Sequence, residues 1–388
     1  MFLVLDTLWI GNRIRELRIS RGLTQQEFAK KMNVSFQAFS AWERAIAPPD
    51  LGNLVEISSF FGVLLDDLVK NRGEKLVLGV DGGGTKTEFV LASYDGTVVE
   101  RFTRACSNPN DLGMEKALKT CKELGIDGII AIGGDGTFRG ATDLSAHGIP
   151  TIGVTGTIDN DITATDYAVG FDTAMNTVCE MIDRLRDTCE SHARCNVSEV
   201  MGRWAGHIAL RVGIASGASA IAIAEIPFDE EAAIKKIIRQ RDNGKRSFIV
   251  VVSEGLPGYA EQLAKKIDAT TKELGPKYWV ETKFARLAHV QRGGTPTLKD
   301  RLLASEMGVA AINYLFEGKS DIVICKVDGQ IGCKNIQDAL KVDRMFKKKM
   351  KEPEYDALSA EDKAWMEARC AKVLDDMKRL YTIANEIS

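Results

Sequence analysis

No two of the eight cysteines (Cys106, Cys121, Cys179, Cys189, Cys195, Cys325, Cys333 and Cys370) stand in the C-x-x-C spacing of a zinc site. Scattered free thiols in a reducing cytoplasm are the expectation that follows. The opening Met1-Phe2-Leu3-Val4-Leu5 stops at Asp6 and has no basic leader, so it is too short for a signal peptide or a membrane span. An excess of one charge is missing too. A net charge of -3 over 388 residues exerts no global pull toward nucleic acid or membrane, so any DNA binding has to come from a local patch. What is present is ordinary for a soluble globular protein: 45% hydrophobic and 27% charged residues. The length predicts two or three folding units, large enough to bury stable cores.

From Asn12 to about Leu68 the pattern is one of short helices. Thr24-Gln25-Gln26-Glu27 is a capping box, and Ser35 is the N-cap of a second helix through Phe36-Gln37-Ala38-Phe39-Ser40-Ala41-Trp42-Glu43-Arg44. Pro48-Pro49-Asp50 restarts a helix that Phe61-Gly62 ends, with Leu51, Leu54, Val55 and Ile57 expected on its inner face. The order resembles the helix-turn-helix regulators of the lambda-repressor type, whose recognition helix enters the major groove. That resemblance implies a domain over residues 8–70 and DNA contact through residues 24–45, with Gln37, Ser40 and Arg44 facing DNA and Phe36, Phe39 and Trp42 as core or backbone-packing residues. The basic residues Arg13, Arg15, Arg18, Arg21, Lys30, Lys31 and Arg44 outnumber Glu16, Glu27 and Glu43, which suits phosphate contact. The bland alternative is a helical bundle used only for dimerisation.

After the linker Asn71-Arg72-Gly73-Glu74 the grammar changes to β. Lys75-Leu76-Val77-Leu78-Gly79-Val80 is a strand ending in Asp81-Gly82-Gly83-Gly84-Thr85-Lys86-Thr87, a glycine turn able to close backbone N–H groups on a phosphate. Glu88-Phe89-Val90-Leu91-Ala92 returns as a hairpin before Asp95-Gly96. Residues 75–112 resemble the opening hairpin of the BadF and actin-like ATPase sugar-kinase superfamily, with Ser107-Asn108-Pro109-Asn110-Asp111 continuing the likeness. The superfamily's second phosphate loop and adenosine motif have no counterpart downstream, so the stretch reads as a vestigial fragment.

From about Glu115 helices and short apolar strands alternate, as in a parallel sheet covered on both faces. Gly128-Ile129-Ile130-Ala131-Ile132 runs into Gly133-Gly134-Asp135-Gly136-Thr137 and then a helical stretch that includes Gly140. The glycines admit a phosphate chain to the backbone amides of a helix start, and Asp135 can take Mg²⁺ through its carboxylate. Pro150-Thr151-Ile152-Gly153-Val154 ends in Thr155-Gly156-Thr157-Ile158-Asp159-Asn160-Asp161. Asn196-Val197-Ser198-Glu199-Val200 ends in Met201-Gly202-Arg203, Phe248-Ile249-Val250-Val251-Val252 in Ser253-Glu254-Gly255, and His289-Val290-Gln291-Arg292-Gly293-Gly294 closes the series. These polar clusters sit at the carboxyl ends of apolar runs, where open α/β sheets place their ligand crevice.

Five motifs in this order resemble the ATP-dependent 6-phosphofructokinases, over residues 113–388. The resemblance implies an α/β fold of parallel sheets with helices on both faces, and transfer of the ATP γ-phosphoryl to fructose 6-phosphate. Asp159 matches the general base for the sugar 1-hydroxyl, and an ordinary Asp pKa of about 3.9 would leave it ionised. Asp135 matches the Mg²⁺ holder, with Gly134, Gly136, Thr137 and Gly140 around the nucleotide. Arg203 and Thr157 match residues beside the transferred phosphoryl, and Thr157, Asp159, Asp161 and Arg203 match substrate-binding positions. Met201, Gly202 and Glu254 match sugar-binding positions, and His289 and Arg292 the 6-phosphate grip. Arg194 reaches in from a neighbouring subunit in the family, which is tetrameric, so a homo-oligomer is implied. Lys283 stands where the family has an arginine, a less directional phosphate contact. Gly136 and Gly156 replace the Asp and Lys of diphosphate-dependent relatives and leave room for ATP.

The family's opening strand, glycine-rich loop and adenine-facing region are missing, which predicts an uncovered sheet edge prone to aggregation. At the family's effector site Arg186 and Lys245 match, but Ser219 replaces a metal-binding glutamate. His207 and His147 read as core or surface histidines, Asp172 as a helix cap, and Lys347-Lys348-Lys349-Met350-Lys351 as a solvated face. The competing functions are a DNA-binding regulator that senses sugar phosphate and an inactive mosaic.

Overall fold

The computed structural model describes residues 7–69, 76–82, 86–93, 98–105, 114–123 and 125–387. The Gly83–Thr85 part of the glycine turn, Asp95-Gly96 and the Ser107–Asp111 stretch lie outside them. The chain forms two compact units, Met1–Leu76 with Ala92–Val99, and Val77–Leu91 with Glu100–Ser388.

The first unit carries helices Thr7–Ser20, Gln25–Lys31, Phe36–Glu43, Leu51–Phe61 and Leu65–Val69. The Thr24 capping box forms as its sequence predicts, with the Thr24 N–H donating to Glu27 Oε2 at 2.8 Å and the Glu27 N–H to Thr24 Oγ1 at 3.2 Å. Ser35 and Asp50 cap the next helices through the Ala38 and Asn53 N–H groups. Gly62 ends the fourth helix at φ 69°, where a β-carbon would be strained. Ile10, Ile14, Phe28, Phe39, Trp42, Leu54, Ile57, Phe61 and Leu68 make the core.

Three expectations change here. Leu51 and Val55 are 68% and 48% exposed, because the buried stripe of that helix runs through Leu54, Ile57 and Phe61 instead. Phe36 is 43% exposed, so of its two expected places only the core is ruled out. Arg18 is not available to phosphate: it donates to Glu43 at 2.6 and 3.0 Å and to the Leu23 carbonyl at 2.6 Å, inside the unit. A charge pair withdrawn from water is costly to break from one side. Arg18→Met is therefore expected to lower the unfolding free energy of this unit by about 3 kcal/mol, read from urea denaturation of the full chain.

The second unit holds two sheets. The larger orders its strands β11-β10-β5-β4-β1-β2-β3, with β1 Leu76–Gly82, β2 Lys86–Ser93, β3 Val98–Ala105, β4 Ile126–Gly133, β5 Thr151–Thr155, β10 Ile322–Val327 and β11 Gln330–Asn335. β4, β5 and β10 are parallel, and β11 returns antiparallel on β10. The smaller is wholly parallel, β7-β8-β6-β9, from β6 Cys195–Val200, β7 Ala220–Ala222, β8 Phe248–Ser253 and β9 Thr282–Arg286. Every residue of β5, β6 and β8 is buried, as strands covered on both faces require, and β6 buries Asn196, Ser198 and Glu199 among its apolar residues.

The uncovered edge expected beside β4 does not occur. β1 lies there, and β2 and β3 extend the sheet outward, with Phe89 and Phe102 stacked at 4.9 Å between ring centres. The sheet now ends on β3, where Glu100 and Arg101 are exposed charges that discourage edge pairing. Among the described residues no helix is long and apolar enough to cross a membrane.

Candidate active site

β4 delivers its chain into Gly133-Gly134 and the helix Asp135–Ala146, with Gly134 as N-cap. A β-carbon on Gly133 would come within 2.2 Å of Thr137 Oγ1, so only glycine lets the turn close on its own helix. A β-carbon on Gly136 meets nothing within 4 Å, and the turn opens there. Gly156 differs: its β-carbon would approach Ile132 Cγ2 at 3.0 Å, so packing against β4 already constrains that residue whatever the phosphoryl donor.

β5 ends beside this turn. Its loop is fixed by Asn160, at φ 51°, whose amide donates to the Asp166 carbonyl at 3.1 Å while its oxygen accepts from the Ala168 N–H at 2.8 Å. Thr157 Oγ1 accepts from the Asp159 N–H at 3.2 Å. Asp159 Oδ1 is buried and has no hydrogen-bond partner among the described residues. Burial, with Asp161 and Glu254 adding repulsion, pushes the Asp159 carboxyl up to about 6 against the pull of Arg203 and Arg292. The ordinary value expected from sequence is thereby corrected. No motif reveals this, because the burial and the charges of Glu254, Arg203 and Arg292 come from parts of the chain far from Asp159.

Arg203 reaches both loops from the end of β6. Its Nη1 lies 2.8 Å from Asp135 Oδ1 and 3.7 Å from Asp161 Oδ2. Burial would raise the Asp135 carboxyl, but the hydrogen bond and charge of Arg203, with Arg139 and Lys347 beyond, hold it below the usual carboxylate range. The Arg203 backbone sits at φ 55° and Gly202 at φ 136°, where an added β-carbon would meet the Ala205 carbonyl at 2.5 Å. Glu254 Oε1 accepts from the Gly202 and Arg203 N–H groups at 3.1 and 2.6 Å, which steadies that strained turn.

Gln291 was not among the sequence candidates. It is 1% exposed, accepts from the Met201 N–H at 3.0 Å and donates to the Ala288 carbonyl at 2.9 Å, so it ties the 3₁₀ turn Ala288–Arg292 to the Met201 loop. His289 and Arg292 on that turn are exposed. His289, Met201 and Glu254 line a cleft of about 390 Å³.

Two candidates lie elsewhere in this chain. Arg194 precedes β6 and Lys283 is the second residue of β9, and both grip Glu281, at 2.6 and 2.8 Å. The length of β6 separates them from Met201, about 20 Å at the rise of a strand. His207 is buried, and burial together with the Arg211 charge lowers it to about 3, so it stays a neutral core residue. Asp172 accepts from Tyr167 Oη at 2.6 Å inside the first turn of Phe171–His192; Gly170, not Asp172, is the N-cap. Lys245 Nζ donates to Ser219 Oγ at 3.2 Å.

The sequence pattern described as Phosphofructokinase matches residues 90–315. The chain belongs to the phosphofructokinase family. The match begins inside β2, ahead of the boundary at 113 expected from sequence. A helix-turn-helix pattern matches residues 14–68. Among curated relatives, an ATP-dependent 6-phosphofructokinase 1 of Clostridium perfringens is 45% identical over 261 residues, 67% of this chain and 79% of the relative. The ATP-dependent 6-phosphofructokinase of Clostridium tetani is 43% identical, over 66% and 78%. In solved structures, phosphofructokinase from Saccharomyces cerevisiae superposes with a TM-score of 0.53 at 28% identity, over 68% of this chain and 35% of that one. A pyrophosphate-dependent phosphofructokinase from Marinobacter aquaeolei gives 0.51 at 25%, over 61% and 64%. The phosphofructokinase segment thus spans only part of each of these two structures.

Proposed function

We propose that this chain transfers the γ-phosphoryl group of ATP to the 1-hydroxyl of fructose 6-phosphate, yielding fructose 1,6-bisphosphate and ADP. The observation that carries the reading is the meeting of Asp159, Asp135, Asp161, Arg203 and Glu254 at the carboxyl ends of β4, β5, β6 and β8. Asp159 accepts the proton as the sugar oxygen attacks phosphorus, and the bond to the bridging oxygen of ADP breaks in line. Arg203 and Thr157 face the transferred group, where fixed charge and donors lower the barrier without covalent help. Asp135 fits Mg²⁺: it offers hard carboxylate oxygens at a glycine turn, and no cluster of three His, Cys, Asp or Glu ligands exists among the described residues, as suits an ion that keeps waters and nucleotide phosphates. When bound, that ion neutralises charge on the phosphate oxygens.

His289 and Arg292 take the 6-phosphate, so Arg292→Ala is expected to raise KM for fructose 6-phosphate at least tenfold with a smaller change in kcat, since a lost charged hydrogen bond to substrate is worth about 1.5–3 kcal/mol. Steady-state kinetics in a coupled ADP-release assay check this. Absence of fructose-6-phosphate-dependent ADP release from the native chain would overturn the reading. Melting with Mg-ATP and fructose 6-phosphate separates a ligand-binding body from an inactive mosaic, because ligands bound only by the folded state raise the transition. A homo-oligomer would let a second copy of the chain supply Arg194 and Lys283 to the phosphate, and a cytoplasmic setting suits both substrates.

A second reading rests on the helix-turn-helix unit, whose Gln37 and Arg44 are exposed on or beside Phe36–Glu43. DNA contact through residues 24–45 would make the chain a regulator that senses sugar phosphate. Binding to duplex DNA that weakens steeply with salt supports it, and salt-insensitive or absent binding rejects it.

A further inference from the structure

The lysine run after helix Ile336–Phe346 is not a solvated face throughout. Lys347, which caps that helix, has a side chain only 14% exposed, and its Nζ donates to both the Oδ2 and the backbone carbonyl of Asp161, each at 3.0 Å. The same Oδ2 is the atom that Arg203 Nη1 approaches at 3.7 Å. Two residues on, Lys349 Nζ lies 4.4 Å from the ring centre of Trp204, next to Arg203 in the chain. The corner is therefore anchored at two points on the loops that carry the reacting groups.

A second layer holds it. Asp343, one turn earlier on the same helix, is 5% exposed and accepts from the Thr163 N–H. Arg369 donates to the Thr163 carbonyl at 2.6 Å and pairs with Asp166 at 2.6 Å. This places the Thr157–Asp166 stretch between Arg203 on one side and the C-terminal helices on the other. Lys347 also lies beyond residues 90–315, the stretch that the family pattern matches, so the family pattern alone does not point to it.

We propose that Lys347 is a positioning residue for phosphoryl transfer: by clamping the Asp161 carboxylate and carbonyl it fixes the loop that presents Asp159, and leaves Arg203 free to bridge Asp135 and the transferred group. The inference rests on the kinase reading above. Without the lysine, Asp161, whose side chain is 2% exposed, keeps Arg203 as its one remaining cation among these contacts. Arg203 is then drawn from Asp135 toward Asp161, and the loop shifts with it. A displacement of about 1 Å in such a constellation costs roughly 10²-fold in rate.

Two measurements test the clamp. The first needs no turnover: peptide mapping after limited acetylation of the native chain. Lys347 is expected to be protected relative to the exposed Lys348, Lys349 and Lys351, and Asp161→Asn to raise its labelling several-fold; equal labelling of all four would overturn the clamp. The second is kinetic. Lys347→Met is expected to lower kcat about 10²-fold with KM for fructose 6-phosphate changed less than about threefold, because Lys347 contacts Asp161 and not the His289 and Arg292 pair proposed to grip the 6-phosphate, and Lys347→Arg to restore most of the loss. Melting curves verify that the variants are folded, and the double variant Lys347→Met/Asp161→Asn removes the unpaired charge should the single one prove unstable. A folded Lys347→Met with kcat within about twofold of the native chain sinks the positioning role. Protection of Lys347 in a native chain without kinase activity would instead leave the clamp standing and overturn the function proposed for it.

Discussion

Asp159→Asn is expected to lower kcat about 10²- to 10⁴-fold, the range that positioned proton transfer contributes, with KM for either substrate little changed. The same carboxyl sets the acid limb of the pH profile. Its value near 6 means that kcat/KM should fall as pH drops below about 6 and level off above about 7, because only the ionised form accepts the proton. An unperturbed aspartate would keep full activity to below pH 5. The stability consequence has the opposite sense. A carboxyl raised from 3.8 to about 6 in the folded state favours folding fully below pH 3.8, and that contribution is lost as pH rises through 6. At neutral pH the native chain therefore carries a buried charge that destabilises it, by about 2 kcal/mol once partial solvation is allowed for. Asp159→Asn should thus melt higher than the native chain at pH 7.5 and not at pH 4, while losing turnover. A variant that is both inactive and less stable at pH 7.5 would contradict the account.

Arg203→Ala is expected to cost about 10²- to 10³-fold in kcat, in line with removal of one fixed donor from a charge-developing site. The loss has two sources. In the proposed reaction the guanidinium faces the group in transfer, and in the structure it shields Asp135 and Asp161 from one another's repulsion through contacts at 2.8 and 3.7 Å. Asp161 keeps Lys347 at 3.0 Å, so the fold should survive and the damage should be confined to activity. Arg203→Lys should recover little, because a single ammonium on a shorter reach cannot span both carboxylates. A coupled assay with melting curves checks both variants, and a kcat within tenfold of native for Arg203→Ala would remove it from the proposed machinery.

Comparison of particular elements separates what is written locally from what is not. The apolar runs of β4, β5 and β8 could be read directly because parallel strands buried on both faces admit almost nothing else, whereas β6 also buries Asn196, Ser198 and Glu199. The polar clusters at their carboxyl ends were legible because parallel strands place their ligand loops there, but that two different sheets bring those ends together was not. The caps at Thr24, Ser35 and Asp50 involve residues three apart and needed no tertiary knowledge. Leu51 and Val55 misled because hydrophobicity alone does not say which stripe of a helix meets a neighbour. Arg18 misled because its partner Glu43 lies 25 positions away.

The sequence by itself determined the helix caps of the first unit, the strands that lead into the glycine and carboxylate turns, the order of those turns, and the family, since each depends on neighbours within a few residues or on a chain-long order of motifs. Only the tertiary structure decided that β1, β2 and β3 extend the sheet beside β4, that Arg194 and Lys283 grip Glu281 away from the cleft, that burial pushes the Asp159 carboxyl up to about 6, and that one lysine of an apparently solvated run pairs with Asp161. Strand pairing, desolvation and ion pairing act through space between groups far apart in the chain, and no local pattern records them.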